Sequence, residues 1–121
     1  MTELTYESFP QQLCVAVPGF DRVYDEHVAE YDEILPHVLL GELVRFLSRE
    51  VQSCSIEGAA LGRAVMLLER AMGSADPRLQ ELVAVSFLEN LDPADPSFAA
   101  IRTHFGPKLE EQYKRYEDAR R

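Results

Sequence analysis

Residues 24–47 read YDEHVAEYDEILPHVLLGELVRFL, and they hold the densest set of chemically able side chains in the chain. Asp25, Glu26, Glu30, Asp32 and Glu33 crowd its first part with no Lys or Arg among them, while His27 and His37 bracket most of the run. These residue types could ligate a metal, exchange protons, or meet a charged partner. A metal needs donors that converge on one point, and ferritin-like bundles achieve this with Glu-x-x-His pairs from two helices plus further glutamates. Here no Glu precedes a His by three. Glu30 follows His27, His37 stands after a proline in another helix, and His104 is remote. No converging ligand set follows from this spacing, so neither a metal nor a cofactor is expected.

Proton chemistry by paired carboxylates requires burial that separates their pKa values. The acids here fall on an outward helix face, where nothing separates them. The chain has no Gly-x-Ser-x-Gly elbow, no Gly-rich phosphate loop and no Cys–His pairing signal. Ser86 falls on an inward stripe, which predicts a small core hydroxyl bonded to backbone. The chain is therefore read as a non-enzyme. Arg45 and Arg49 share one face of a helix, and Arg63 and Arg70 belong to the next. Glu42 lies three residues before Arg45 and Glu69 is next to Arg70, so surface ion pairing is the expectation for these arginines rather than phosphate binding.

Composition supports a partner with the opposite charge. The 121 residues carry a net charge of -9, and 46% of them are hydrophobic. Residues 1–60 hold eleven acids against three bases, whereas residues 61–121 hold ten against nine. Such a chain is repelled by nucleic acid and by anionic membranes, and a basic protein surface is its natural counterpart. The plain alternative is a solvated face that keeps the protein soluble. Cys14 and Cys54 lack a second Cys at metal spacing and are read as reduced thiols of a cytoplasmic protein. The N-terminus has no basic and apolar signal-peptide pattern, and no run approaches the ~20 apolar residues of a membrane span.

These side chains must be positioned by helices, because no useful segment alternates with period two. The expected architecture is all-α, a compact single-domain bundle of five to seven helices over residues 1–121, with 116–121 a frayed tail. The first helix falls within Leu4–Val17, with Pro10 bending it or marking its first turn. The second spans about Phe20–Tyr31 and places His27 on its apolar face. The third, Pro36 to about Gln52, is apolar over more than half its circumference and is therefore predicted to be central. Gly41 within it marks a place where another backbone could come close. A fourth helix runs from a Ser55 cap to Gly73. A fifth opens with an Asp76 cap and Pro77, carrying Leu79, Leu82, Val83, Phe87 and Leu91 inward. A last helical stretch from Phe98 to about Tyr116 is split at Gly106-Pro107.

One resemblance adds to this. The chain shows an acidic helix with a His (His27), then Leu35-Pro36-His37, then Gly41-Glu42-Leu43 with Arg45 two residues on. A second block, LVAVSFLENL at residues 82–91, follows in order. Between Phe20 and Leu91 this resembles a family of small helical bacterial proteins of poorly known function, often seen as immunity proteins of polymorphic toxin systems. The resemblance implies a protein that binds a cognate toxin and blocks it, with no catalytic residues to carry over. Toxins acting on nucleic acids or nucleotides have basic clefts, and an acidic helix can enter one. The expected partner-binding set is Asp21, Asp25, Glu26, Glu30, Asp32, Glu33, His37 and Glu42, with the histidines mainly structural. The other reading is an adaptor or regulatory module that mimics nucleic-acid charge. No contact with nucleic acid or membrane is expected.

Overall fold

A computed structural model describes residues 4–53 and 59–120. Among these residues seven α-helices follow one another: α1 (Phe9–Ala16), α2 (Phe20–Tyr31), α3 (Pro36–Gln52), α4 (Ala59–Met72), α5 (Pro77–Leu82), α6 (Phe98–Thr103) and α7 (Pro107–Ala119). There is no strand among the described residues. The chain forms one compact helical domain, as its periodicity predicts. The Ser55 cap and Cys54 lie outside the described residues. The first helix is shorter than the sequence stripe implies: Pro10 sits in its first turn and the helical ladder begins only at Phe9. At the other end α7 continues through Ala119, past the point at which a frayed tail was expected.

Helix α3 is central. It packs against α2, α4, α5 and α6, and Leu39, Leu40, Leu43 and Leu47 along it are completely buried. Helix α4 forms the second spine, contacting α1, α3, α5 and α7. Its Ala64, Val65, Leu68 and Ala71 are sealed from solvent. Gly41 is not a site of backbone contact. A methyl group there would meet only the Asn90 amide at 3.7 Å and the Arg45 guanidinium at 3.9 Å. Where glycine is needed is Gly19, whose φ of +87° caps α2 from the left-handed region.

Helix α5 does not continue as one uniform element. Asp76 caps it through Arg78 N–H at 3.0 Å. The chain then passes into a π turn at Val83–Phe87 and a 3₁₀ turn at Leu88–Asn90. A π turn takes in an extra residue. In an unbroken α-helix Leu88 would stand about 140° around the axis from Val83. With the extra residue, Leu88 is completely buried together with Val83 and Phe87, and Leu91 nearly so.

Two polar clasps close the ends of the fold. Asp76 also accepts from Tyr6 N–H at 2.9 Å, and Ser74 Oγ donates to the Leu4 carbonyl at 2.6 Å, tying the N-terminal segment to the α4–α5 corner. The Tyr6 bond, with help from Arg78, holds the Asp76 carboxyl below its ordinary range. Glu69 accepts from Lys108 N–H at 2.8 Å and Leu109 N–H at 2.9 Å, capping α7 from α4. Glu69 is therefore occupied at a helix end and does not pair with Arg70. Arg102 of α6 is held by Glu110 at 2.7 Å and Glu117 at 3.3 Å and lies 4.9 Å from the Tyr113 ring centre. Its hydrogen bonds lower the Glu110 pKa.

Candidate partner-binding surface

The eight residues expected to face a partner fall into three places. Asp21, Asp25, Glu26, Glu30, Asp32 and Glu33 are exposed along α2 and the turn after it. Among the described residues none of the six has an ion pair. Asp21, Arg22 and Glu26 line a groove of about 560 Å³ between α2 and the C-terminal part of α3, where Phe46, Arg49 and Glu50 form the other wall. Asp21 and Asp25 act on a different neighbour, Cys14 of α1. Burial pushes its thiol pKa up, and the two carboxylates add to that, to about 11.

Glu42 is somewhere else. Its carboxylate meets Nδ1 of His27 at 2.5 Å, and the imidazole is completely buried. The opposite ring nitrogen, Nε2, accepts from Leu35 N–H at 2.9 Å. That bond requires an unprotonated Nε2, so Nδ1 carries the hydrogen that Glu42 receives. A buried imidazole is costly unless both nitrogens are satisfied, and here both are. Tyr31 packs over the ring with centres 4.9 Å apart. Glu42 thus ties α3 to α2 and to the 32–35 turn, and it is not an Arg45 partner. Spacing could not reveal this pair, since the residues lie fifteen apart on separate helices. Both, however, belong to the residue pattern that carried the family resemblance.

His37 stands at the start of α3 and is exposed, but its Nδ1 is hydrogen-bonded to Ser86 Oγ within the π turn. The Ser86 hydroxyl therefore meets a side chain rather than backbone, while the Ser86 carbonyl accepts from Asn90 Nδ2 at 2.6 Å. Ser86 is 4% exposed. The contact joins the two sequence blocks of the resemblance, His37–Gly41–Arg45 on α3 and Ser86–Asn90 on the π and 3₁₀ turns. Among the described residues no group of three or more His, Cys, Asp and Glu side chains is placed to share a metal ion. No helix among them is long and apolar enough to cross a membrane.

The chain belongs to the family described as Domain of unknown function (DUF7674), which it matches over residues 10–121. Comparison with curated proteins and with solved structures gives no match.

Two measurements check this division of labour. Glu42→Ala strands a buried N–H of His27 and should cost about 1–3 kcal/mol in urea unfolding. Glu30→Ala on the open face should change stability by no more than about 0.5 kcal/mol. Equal, small effects would mean the His27–Glu42 pair does not hold the helices. In a Cys54→Ser background, alkylation of Cys14 should be slow at neutral pH and rise with a midpoint near 11. Replacing Asp21 and Asp25 by Asn should lower that midpoint, because the thiolate loses two repelling charges, yet burial should keep it above the ordinary ~8.5. An unchanged midpoint would mean the α2 carboxylates exert no field beyond their own helix.

Proposed function

We propose that this protein is an immunity protein that binds and neutralises a cognate toxin, with the acidic face of α2 entering a basic cleft on it. The observation that carries this reading is the state of six carboxylates: Asp21, Asp25, Glu26, Glu30, Asp32 and Glu33 are exposed on one helix and its following turn and have no ion pair among the described residues. The chain has twelve Lys and Arg residues, yet the arginine ion pairs among the described residues lie elsewhere, at Arg78, Arg102 and Arg115. A face left un-neutralised in this way raises the rate of encounter with a basic surface. The anchoring of α2 by His27 supports the same reading, since a rigid helix loses little freedom on docking. The resemblance between Phe20 and Leu91 supplies the toxin, and the acidic face supplies the kind of surface it would present.

The test is protection. The partner is captured from the native cell with the purified protein as bait, then expressed with and without it. Wild-type protein should restore growth. The Asp25→Lys, Glu26→Lys, Glu30→Lys triple variant should fold with near-normal stability, since exposed acids contribute little, and should bind at least roughly ten-fold more weakly at low salt, protecting poorly. A triple variant that folds, binds and protects like the wild type would remove the acidic face from the mechanism. A captured partner that harms nothing when expressed alone would remove the toxin.

A further inference from the structure

A second surface lies on the other side of α3. Between that helix and residues 90–101 runs a groove of about 350 Å³. Its floor is apolar: Val44, Leu91 and Ile101 are buried there and Phe98 half-buried. Arg45, Arg49 and Asn90 also line it, and all three are exposed. Neither guanidinium has an ion pair or hydrogen bond to any described residue. This is unexpected, because Asp92 and Asp95 line the same groove. Both carboxylates are engaged in their own turns. Asp92 accepts from Ala94 N–H at 2.9 Å, and Asp95 accepts from Ser97 N–H at 2.8 Å and Ser97 Oγ at 2.6 Å. The Ser97 bonds hold the Asp95 carboxyl below its ordinary range.

Two of these donors lie close together. The Asn90 amide and the Arg45 guanidinium both come within 4 Å of the same point above Gly41. Asn90 uses Nδ2 to hold the Ser86 carbonyl at 2.6 Å, which fixes the amide while leaving its second N–H without an acceptor among the described residues. Glycine at position 41 keeps this corner clear of a side chain. Small-molecule sites have this character: a concave apolar surface of about 300–1,000 Å³ with a few placed polar groups. Guanidinium suits carboxylate and phosphate because its planar fork matches their oxygens.

We propose that this groove binds a small organic anion, its apolar body on Val44, Leu91, Phe98 and Ile101 and its carboxylate or phosphate on Arg45 and Arg49. The site is distinct from the groove beside the acidic face: Arg45 and Asn90 line only the former and Arg49 borders both, while the carboxylates of Asp92 and Asp95 are held by their own turns. An anion seated there would touch the Asn90–Ser86–His37 chain of hydrogen bonds and so the start of α3.

The test is a titration followed by amide NMR of the full chain, with benzoate, phenyl phosphate, inorganic phosphate and benzyl alcohol at constant ionic strength. Benzoate or phenyl phosphate should shift the amides of Arg45, Arg49, Leu91 and Ile101 saturably. Benzyl alcohol should bind at least roughly ten-fold more weakly, as should either anion to the Arg45→Gln, Arg49→Gln double variant, since a hydrogen bond between charged groups is stronger than one between neutral groups. Tighter binding of phenyl phosphate than of benzoate supports a phosphate ligand, and the reverse order supports a carboxylate. Inorganic phosphate matching phenyl phosphate would overturn the role of the apolar floor. No saturable shift by either aromatic anion, or equal binding by the folded double variant, would overturn the site.

Discussion

A buried histidine with both ring nitrogens engaged fixes the geometry on which the acidic surface depends. His27 donates from Nδ1 to Glu42 on α3 and accepts at Nε2 from Leu35 N–H in the turn between the helices. One side chain therefore ties down both helices and their connection. The turn itself is tight. Asp32 takes φ of +60° at the end of α2, its N–H still reaching the Val28 carbonyl at 2.8 Å, and Pro36 opens α3. With the imidazole drawn into the interior, the rest of the α2 circumference is set: Phe20 and His27 inward, and Asp25, Glu26 and Glu30 outward. Charge on a helix held this firmly points in a fixed direction. That is what a recognition surface needs and a merely solubilising surface does not.

Helix α3 then separates two surfaces of different character. On one side, Asp21 and Glu26 line the groove shared with α2; on the other, Arg45 and Asn90 line the groove shared with residues 90–101, and Arg49 borders both. The π turn belongs to this arrangement. It places the Ser86 hydroxyl against His37 and leads into Asn90, which spans back to the Ser86 carbonyl. The His27–Glu42 pair and the His37–Ser86 contact thus flank α3 near its N-terminal end, adding direction to a position that the buried leucines hold.

The helical periodicity of the sequence was enough to find the fold. The aliphatic coverage of residues 36–52 placed the central helix, Asp76-Pro77 marked the start of α5, and Gly106-Pro107 divided α6 from α7, because each of these signals acts within a few residues. What periodicity could not supply were pairings across helices. Glu42 and Glu69 looked like partners for nearby arginines, yet a buried His27 and the open N-terminus of α7 hold them, since a buried N–H or an uncapped helix end gains more from a carboxylate than an exposed guanidinium does. The π turn was hidden for a related reason: stripes drawn at 3.6 residues per turn assume one register, and Leu88 is buried only because the register changes. The six exposed acids of α2 and the turn after it were legible as a face, since that requires only local geometry. The arginine groove was not, because its floor comes from residues some fifty positions apart.

The central claim is that the α2 carboxylates act on a partner through their field. It is tested most directly by the association rate of the protein with its captured partner, followed by stopped flow as ionic strength rises from about 0.01 M, where the Debye length is ~30 Å, to about 1 M, where it is ~3 Å. The account predicts that the association rate falls by roughly ten-fold or more across this range while dissociation changes far less. An association rate that stays flat over the same range would contradict it.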